Sequence, residues 1–236
     1  MKDFVGRARE YVTENYPRAS AAFLGGSAAS GDATETSDLD ILIVLPEQWS
    51  SVSFVETTIY ERQLVEAFVY GPGALRSWLE KGRADARPVL DRLVAQGVPL
   101  IVGAISDDVV SQSRRALKSG PTPMDTEQLN LRRYTVSSLI DDIVDAEDPG
   151  LRDVVMSTAW KEAAELALLS RGWWIGTGKW LLRELRAHDD PFGLAAWVDR
   201  GRRDAEELVE KCRALLDTMG GHYQAGYIRG VKPKDL

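Results

Sequence analysis

The chain has 236 residues, enough to bury a sizeable core, and two modest domains are expected over one large one. Hydrophobic residues at 44% and charged residues at 28% are ordinary globular values that exclude disordered, collagen-like and membrane-embedded classes. A formal net charge of −7 argues against nucleic acid as the main partner, because backbone affinity comes from Lys and Arg neutralising phosphates.

Cys212 is the only cysteine and cannot form an intramolecular disulfide, which suits a reducing compartment. The opening "MKDFVGRAREYVTENYPRAS" is charged throughout and lacks the apolar centre of a signal peptide. No stretch approaches the roughly 20 apolar residues needed to span a bilayer. The expectation is a soluble, cytoplasmic protein without a membrane partner; a homodimer stays open.

In chain order, residues 4 to 15 predict an amphipathic helix with Phe4, Val5, Ala8, Tyr11 and Val12 on one face, closed by Pro17. "AAFLGG" predicts a short strand entering a turn, with a short helix at Ala28 to Ser30. "LDILIVL" (39 to 45) has Ile, Val or Leu at nearly every position, the pattern of a central strand covered on both faces, and Pro46 stops it. "SFVETTIYE" and "QLVEAFVY" predict a hairpin turning near Glu61 and Arg62. Helices follow in "ALRSWLEK" and "PVLDRLVAQG", the second ended by Gly97, and "VPLIVG" predicts a last strand.

Beyond about residue 106 the sequence reads as helical throughout. Asp125 and Gln128 form a capping box for a helix from Thr126 to about Ala146, "LRDVVMSTAWKEAAELALLSRG" is a second helix, and one long helix is expected from about Leu194 to Met219. Residues 1–106 are therefore read as an α/β (α+β) domain and 107–236 as an all-helical C-terminal bundle.

Chemistry concentrates in "GGSAASGDATETSDLD". Asp38 and Asp40, at i and i+2, share a strand face about 7 Å apart along the backbone. Two carboxylates so close repel each other, and burial raises the cost. Mg²⁺ removes the conflict, because it prefers carboxylate, water and phosphate oxygens.

Glu66 is the only acid inside the apolar strand "QLVEAFVY", alternating with Leu64, Phe68 and Tyr70, and is expected opposite the aspartates if the two strands are neighbours. Three carboxylates can hold two metal ions about 3.5–4 Å apart, the arrangement that stabilises attacking and leaving oxygens in an in-line transfer. The Gly25-Gly26-Ser27 turn adds backbone N–H groups and a hydroxyl that can face a triphosphate. A cap at the entry to the sheet is the bland alternative for one aspartate; the spaced pair with Ser27 and Glu66 favours chemistry.

These elements resemble the nucleotidyltransferase superfamily typified by DNA polymerase β. The likeness rests on "GGSAASG", "SDLD" and Glu66 and covers the first hundred or so residues; the helical half resembles small bacterial members related to kanamycin nucleotidyltransferase. The resemblance implies transfer of a nucleoside monophosphate from an NTP, ATP being the expected donor, to a hydroxyl with release of pyrophosphate. Asp38, Asp40 and Glu66 would be catalytic metal ligands for two Mg²⁺ ions, and Gly26 and Ser27 would meet the phosphates. The third acid of the family is often aspartate. Glu66 reaches one methylene further, which leaves open whether it binds metal, serves as general base, or does both.

The expected acceptor is a small molecule, and the acidic protein suits an aminoglycoside-like polycation. A protein AMP-transferase of antitoxin type and a non-catalytic nucleotide-binding protein are the alternatives. In "GWWIGTGKWLLRELR", Thr177 reads as an N-cap, which puts Lys179 in the first helical turn, a position for a triphosphate contact and a site between the two halves. Trp173, Trp174 and Trp180 read as core, Arg133 as a buried arginine paired with an acid, and His188 and His222 receive no role.

Overall fold

The computed structural model describes residues 3–31, 33–34, 37–200 and 204–233. It divides into two compact units, Met1–Gly120 and Pro121–Leu236. The division lies beyond residue 106 because helix α5 (Ser106–Ser119) packs on α4 (Val89–Gln96) and gives Val109 to the core of the first unit.

The first unit is a five-stranded mixed sheet with helices on both faces. Its strands are β1 (Ala21–Leu24), β2 (Leu39–Val44), β3 (Ser53–Tyr60), β4 (Gln63–Tyr70) and β5 (Val98–Ile101), in spatial order β3-β4-β2-β1-β5. Only β2 and β4 run parallel; the other pairs are antiparallel. The parallel pairing puts the beginnings of β2 and β4 at one end of the sheet, and the antiparallel β1 brings its own end to the same place.

β2 lies inside the sheet, as the apolar run from Ile41 to Val44 requires. Alternate residues Leu39, Ile41 and Ile43 meet Ala8, Tyr11 and Val12 of α1 (Phe4–Asn15). On the other face Leu42 and Val44 meet Leu75 and Leu79 of α3 (Pro72–Ala84), Leu93 and Val94 of α4, and Val109. Asp40 is the single β2 residue that is not fully buried.

The β3–β4 hairpin turns on Glu61 and Arg62, both in the left-handed region at φ 46° and 67°, the geometry of a two-residue turn matched to strand twist. A bidentate pair from Arg83 to the fully buried Asp91, at 2.7 and 3.0 Å, ties α3 to α4.

The second unit is helical: α6 (Thr126–Asp145), α7 (Pro149–Leu169), α8 (Lys179–Ala187), α9 (Leu194–Asp199) and α10 (Ala205–Asp217). The capping box forms in full, with the Gln128 N–H donating to Asp125 Oδ1 at 2.7 Å and the Asp125 N–H to Gln128 Oε1 at 3.1 Å. α7 is buried on all sides near its end, from Ala163 to Leu169 with Glu165 the one acid in the run, and α6 and α10 pack against it.

The long helix expected from Leu194 to Met219 is two helices. α9 ends at Asp199, and Asp204 starts α10 afresh by accepting the N–H groups of Glu206 and Glu207.

Candidate active site

The first unit gathers its polar residues where β1 ends and β2 and β4 begin. Register sets the arrangement: Asp40 is the direct partner of Glu66 across the parallel β2–β4 pair, and Thr57 of β3 is the partner of Glu66 on its other side. Adjacent strands stand about 4.8 Å apart, so Asp40, Glu66 and Thr57 form one row on one face. That face carries Leu42 and Val44 on β2 and Phe68 and Tyr70 on β4. Burial first, and then the negative charge of Glu66, raise the Tyr70 hydroxyl pKa.

The glycine turn closes on the same row. The Gly25 N–H donates to the Asp40 carbonyl at 2.8 Å. Helix α2 (Gly26–Ser30) begins one residue later, with Gly25 as its cap and Gly26 at φ 63°. A Cβ on Gly26 would overlap the Asp40 carboxylate, so the second glycine is needed for both its backbone angle and its close approach. Ser27 follows in the first turn of α2.

Asp38 lies one step outside β2 and is exposed. Among the described residues no three of His, Cys, Asp and Glu converge on a metal-holding point. The expected acidic trio is an in-register pair, Asp40 and Glu66, with Asp38 outside the ladder that fixes the other two.

The pair fits a hard divalent cation. It offers oxygen donors from neighbouring strands beside a glycine cradle that a methyl group would fill. Mg²⁺ commonly takes one or two carboxylates and completes its shell with water and phosphate oxygens, so a closed protein cage is not required.

Two residues near the acids went unnoticed in the sequence. Thr57 extends the row, and only strand register reveals it. Gln63, at the start of β4, is 3% exposed and donates its amide N–H to the Ser37 carbonyl. A polar residue leading the buried row Val65, Ala67, Val69 is the signal that pointed to it.

Lys179 is in the second unit, exposed, at the first position of α8. Thr177 is not the cap: Gly178, at φ 55°, precedes the helix and no side chain caps it. Of the three tryptophans only Trp174 is buried; Trp173 stacks on His188 with centroids 4.1 Å apart, and Trp180 carries Arg183 over its ring at 4.5 Å.

Arg133 donates to the carbonyls of Gly220 and Gly221, at 2.9 and 3.1 Å, and lies over Tyr223, in place of the expected acid. His222 meets Asp141 at 3.2 Å.

A match to a known family falls within the first unit. Residues 5–81 match the family model of the nucleotidyltransferase domain, a span that includes Gly26, Ser27, Asp38, Asp40, Gln63 and Glu66. No curated protein is a significant match to the chain. Among solved structures, the chain is similar to a nucleotidyltransferase-like protein from Exiguobacterium sibiricum, at 15% identity and a TM-score of 0.46, covering 91% of this chain and 74% of that one. Among the described residues no helix is long and apolar enough to cross a membrane.

Proposed function

We propose that the chain transfers a nucleoside monophosphate from an NTP, with ATP as donor, to a hydroxyl of a small molecule in a Mg²⁺-dependent reaction that releases pyrophosphate. The observation that carries this reading is the Asp40–Glu66 register beside the Gly25-Gly26 turn, inside the segment that matches the nucleotidyltransferase domain.

Asp40 and Glu66 hold the cation, and Asp38 adds a carboxylate from the exposed side. Bound Mg²⁺ would supply charge neutralisation on the phosphates and acidify the attacking hydroxyl. Gly26 lets the backbone approach a phosphate without a side chain in the way, and Ser27 offers its hydroxyl to the same group. Glu66, longer by one methylene than an aspartate, would orient the acceptor hydroxyl or take its proton as well as ligate. The net charge of −7 supports a cationic acceptor of aminoglycoside type, since association rates follow charge.

The test incubates the purified chain with each α-labelled NTP, Mg²⁺ and a panel of hydroxyl acceptors that includes polycationic sugars. Label on a small molecule with stoichiometric pyrophosphate, lost on chelation, is the expected result. Label on a protein band instead would reassign the acceptor. Nucleotide binding without pyrophosphate from any acceptor would overturn the catalytic reading.

A further inference from the structure

We infer that Gln63 is a positioning residue for Asp38, holding the peptide that leads into this carboxylate; the inference rests on the nucleotidyltransferase reading above. The inward row of β4 is Gln63, Val65, Ala67 and Val69, 3% exposed at the first position and 0% at the other three. An amide in that row loses its water and must find a partner inside the protein. Its Nε2–H donates to the Ser37 carbonyl, 26 residues earlier in the chain.

The consequence falls on Asp38. Because the peptide unit is planar, the Ser37 carbonyl and the Asp38 N–H move as one body, so holding the first fixes the second. On the other side of Asp38, Leu39 is paired with Val65 in the β2–β4 ladder and is fully buried. β4 thus grips the chain both before and after Asp38, through Gln63 and Val65, two positions apart on the same strand face.

Ser37 is held elsewhere too. Its N–H donates to the Thr34 carbonyl at 3.2 Å, and its hydroxyl accepts the Thr34 N–H at 2.8 Å. An exposed carboxylate outside the strand is in this way given a defined backbone origin.

Side-chain chemistry narrows what can serve at position 63. Met has the same reach without a donor, Glu presents an acceptor to a carbonyl, and Asn keeps the amide but falls one methylene short. The test measures Mn²⁺ binding by calorimetry in the presence of a non-hydrolysable ATP analogue, together with thermal melting, for wild type, Gln63→Met and Gln63→Asn.

Loss of such an outer partner typically weakens metal affinity about 10–100-fold. Both variants should show that loss while remaining cooperatively folded. In an Asp38→Asn background the same changes should cost no further affinity, a non-additivity that a purely structural role would not produce. Wild-type Mn²⁺ affinity in folded Gln63→Met, or an undiminished loss in the Asp38→Asn background, would overturn the assignment of Gln63 alone. If wild type itself bound no Mn²⁺ with the nucleotide, the nucleotidyltransferase reading would fall and the Gln63 assignment with it.

Discussion

Buried acids inside the helices and the acids at the mouth of the sheet have different neighbours. In the second unit Glu165, 3% exposed within α7, is flanked by cations of the chain itself: Arg132 at 3.4 Å and Lys161 at 3.2 Å. Asp91 in the first unit is handled likewise by Arg83. At the mouth of the sheet the neighbour that register gives Asp40 is another acid, Glu66. Glu165 and Asp91 each sit beside cations of the chain; an in-register acid pair is an arrangement that a bound cation makes more favourable.

That contrast breaks most sharply under single amide substitutions. Asp40→Asn should lower nucleotidyl transfer by about 10³-fold or more, because on the proposed function it removes a metal ligand and several kcal/mol of transition-state stabilisation. Its melting temperature should hold or rise, since directly opposed like charges on neighbouring strands destabilise a sheet. Initial-rate assays and thermal melts on one preparation check both halves.

Glu165→Gln should do the reverse. The cations left behind, Arg132 and Lys161, reach solvent, so the loss is that of charge-assisted hydrogen bonds, about 1–3 kcal/mol: the melt should fall while transfer by the folded protein stays near wild type. A Glu165 variant that lost transfer without losing stability would erase the distinction between the two acids.

Gly26→Ala is intermediate, and it sharpens the comparison by moving Asp40 without changing its charge. The added Cβ meets the carboxylate and the backbone sits at φ 63°, so about 1–2 kcal/mol of stability should go, with a rise in the apparent KM for the nucleotide. Denaturant titration and steady-state kinetics read the two effects.

How much of this could be read from the sequence depends on whether a local rule decided the outcome. The hydrophobic run of β2, the two-residue turn at Glu61 and Arg62 and the Asp125–Gln128 capping box are set by residues within a few positions of one another. The adjacency of Asp40 and Glu66 was legible because both acids interrupt apolar strands.

Gln63 and Thr57 were not legible as site neighbours, because a contact across 26 residues and a cross-strand register are properties of the assembled sheet. The break between α9 and α10 escaped for a related reason. The apolar residues on either side of it keep one helical spacing, and the hydrogen bonds of Asp204 show that α10 starts afresh. At α8 the sequence points to Thr177 as the cap, and the structure puts Gly178, at φ 55°, in that place.

The smallest expected effect concerns Cys212. Burial pushes its thiol up to about 12, so the folded chain keeps the protonated form that the unfolded chain begins to lose near pH 9. The folded pKa of this acid is raised, so its contribution to stability is complete below the unfolded pKa and is lost as pH rises towards the folded one. Alkylation at pH 8.5 should therefore be slow for the native protein and fast once denaturant is added, a difference unconnected to the acid pair and equal in wild type and Asp40→Asn.

The most direct measurement is the melting shift produced by Mg²⁺ with a non-hydrolysable ATP analogue, compared between wild type and Asp40→Asn. At about 100 times the dissociation constant a specific ligand stabilises by about 2.7 kcal/mol, several degrees for a protein of this size. The account predicts that shift for wild type only when metal and nucleotide are both present, and little or none for Asp40→Asn. Equal shifts in the two proteins, or a wild-type shift that ignores Mg²⁺, would contradict it.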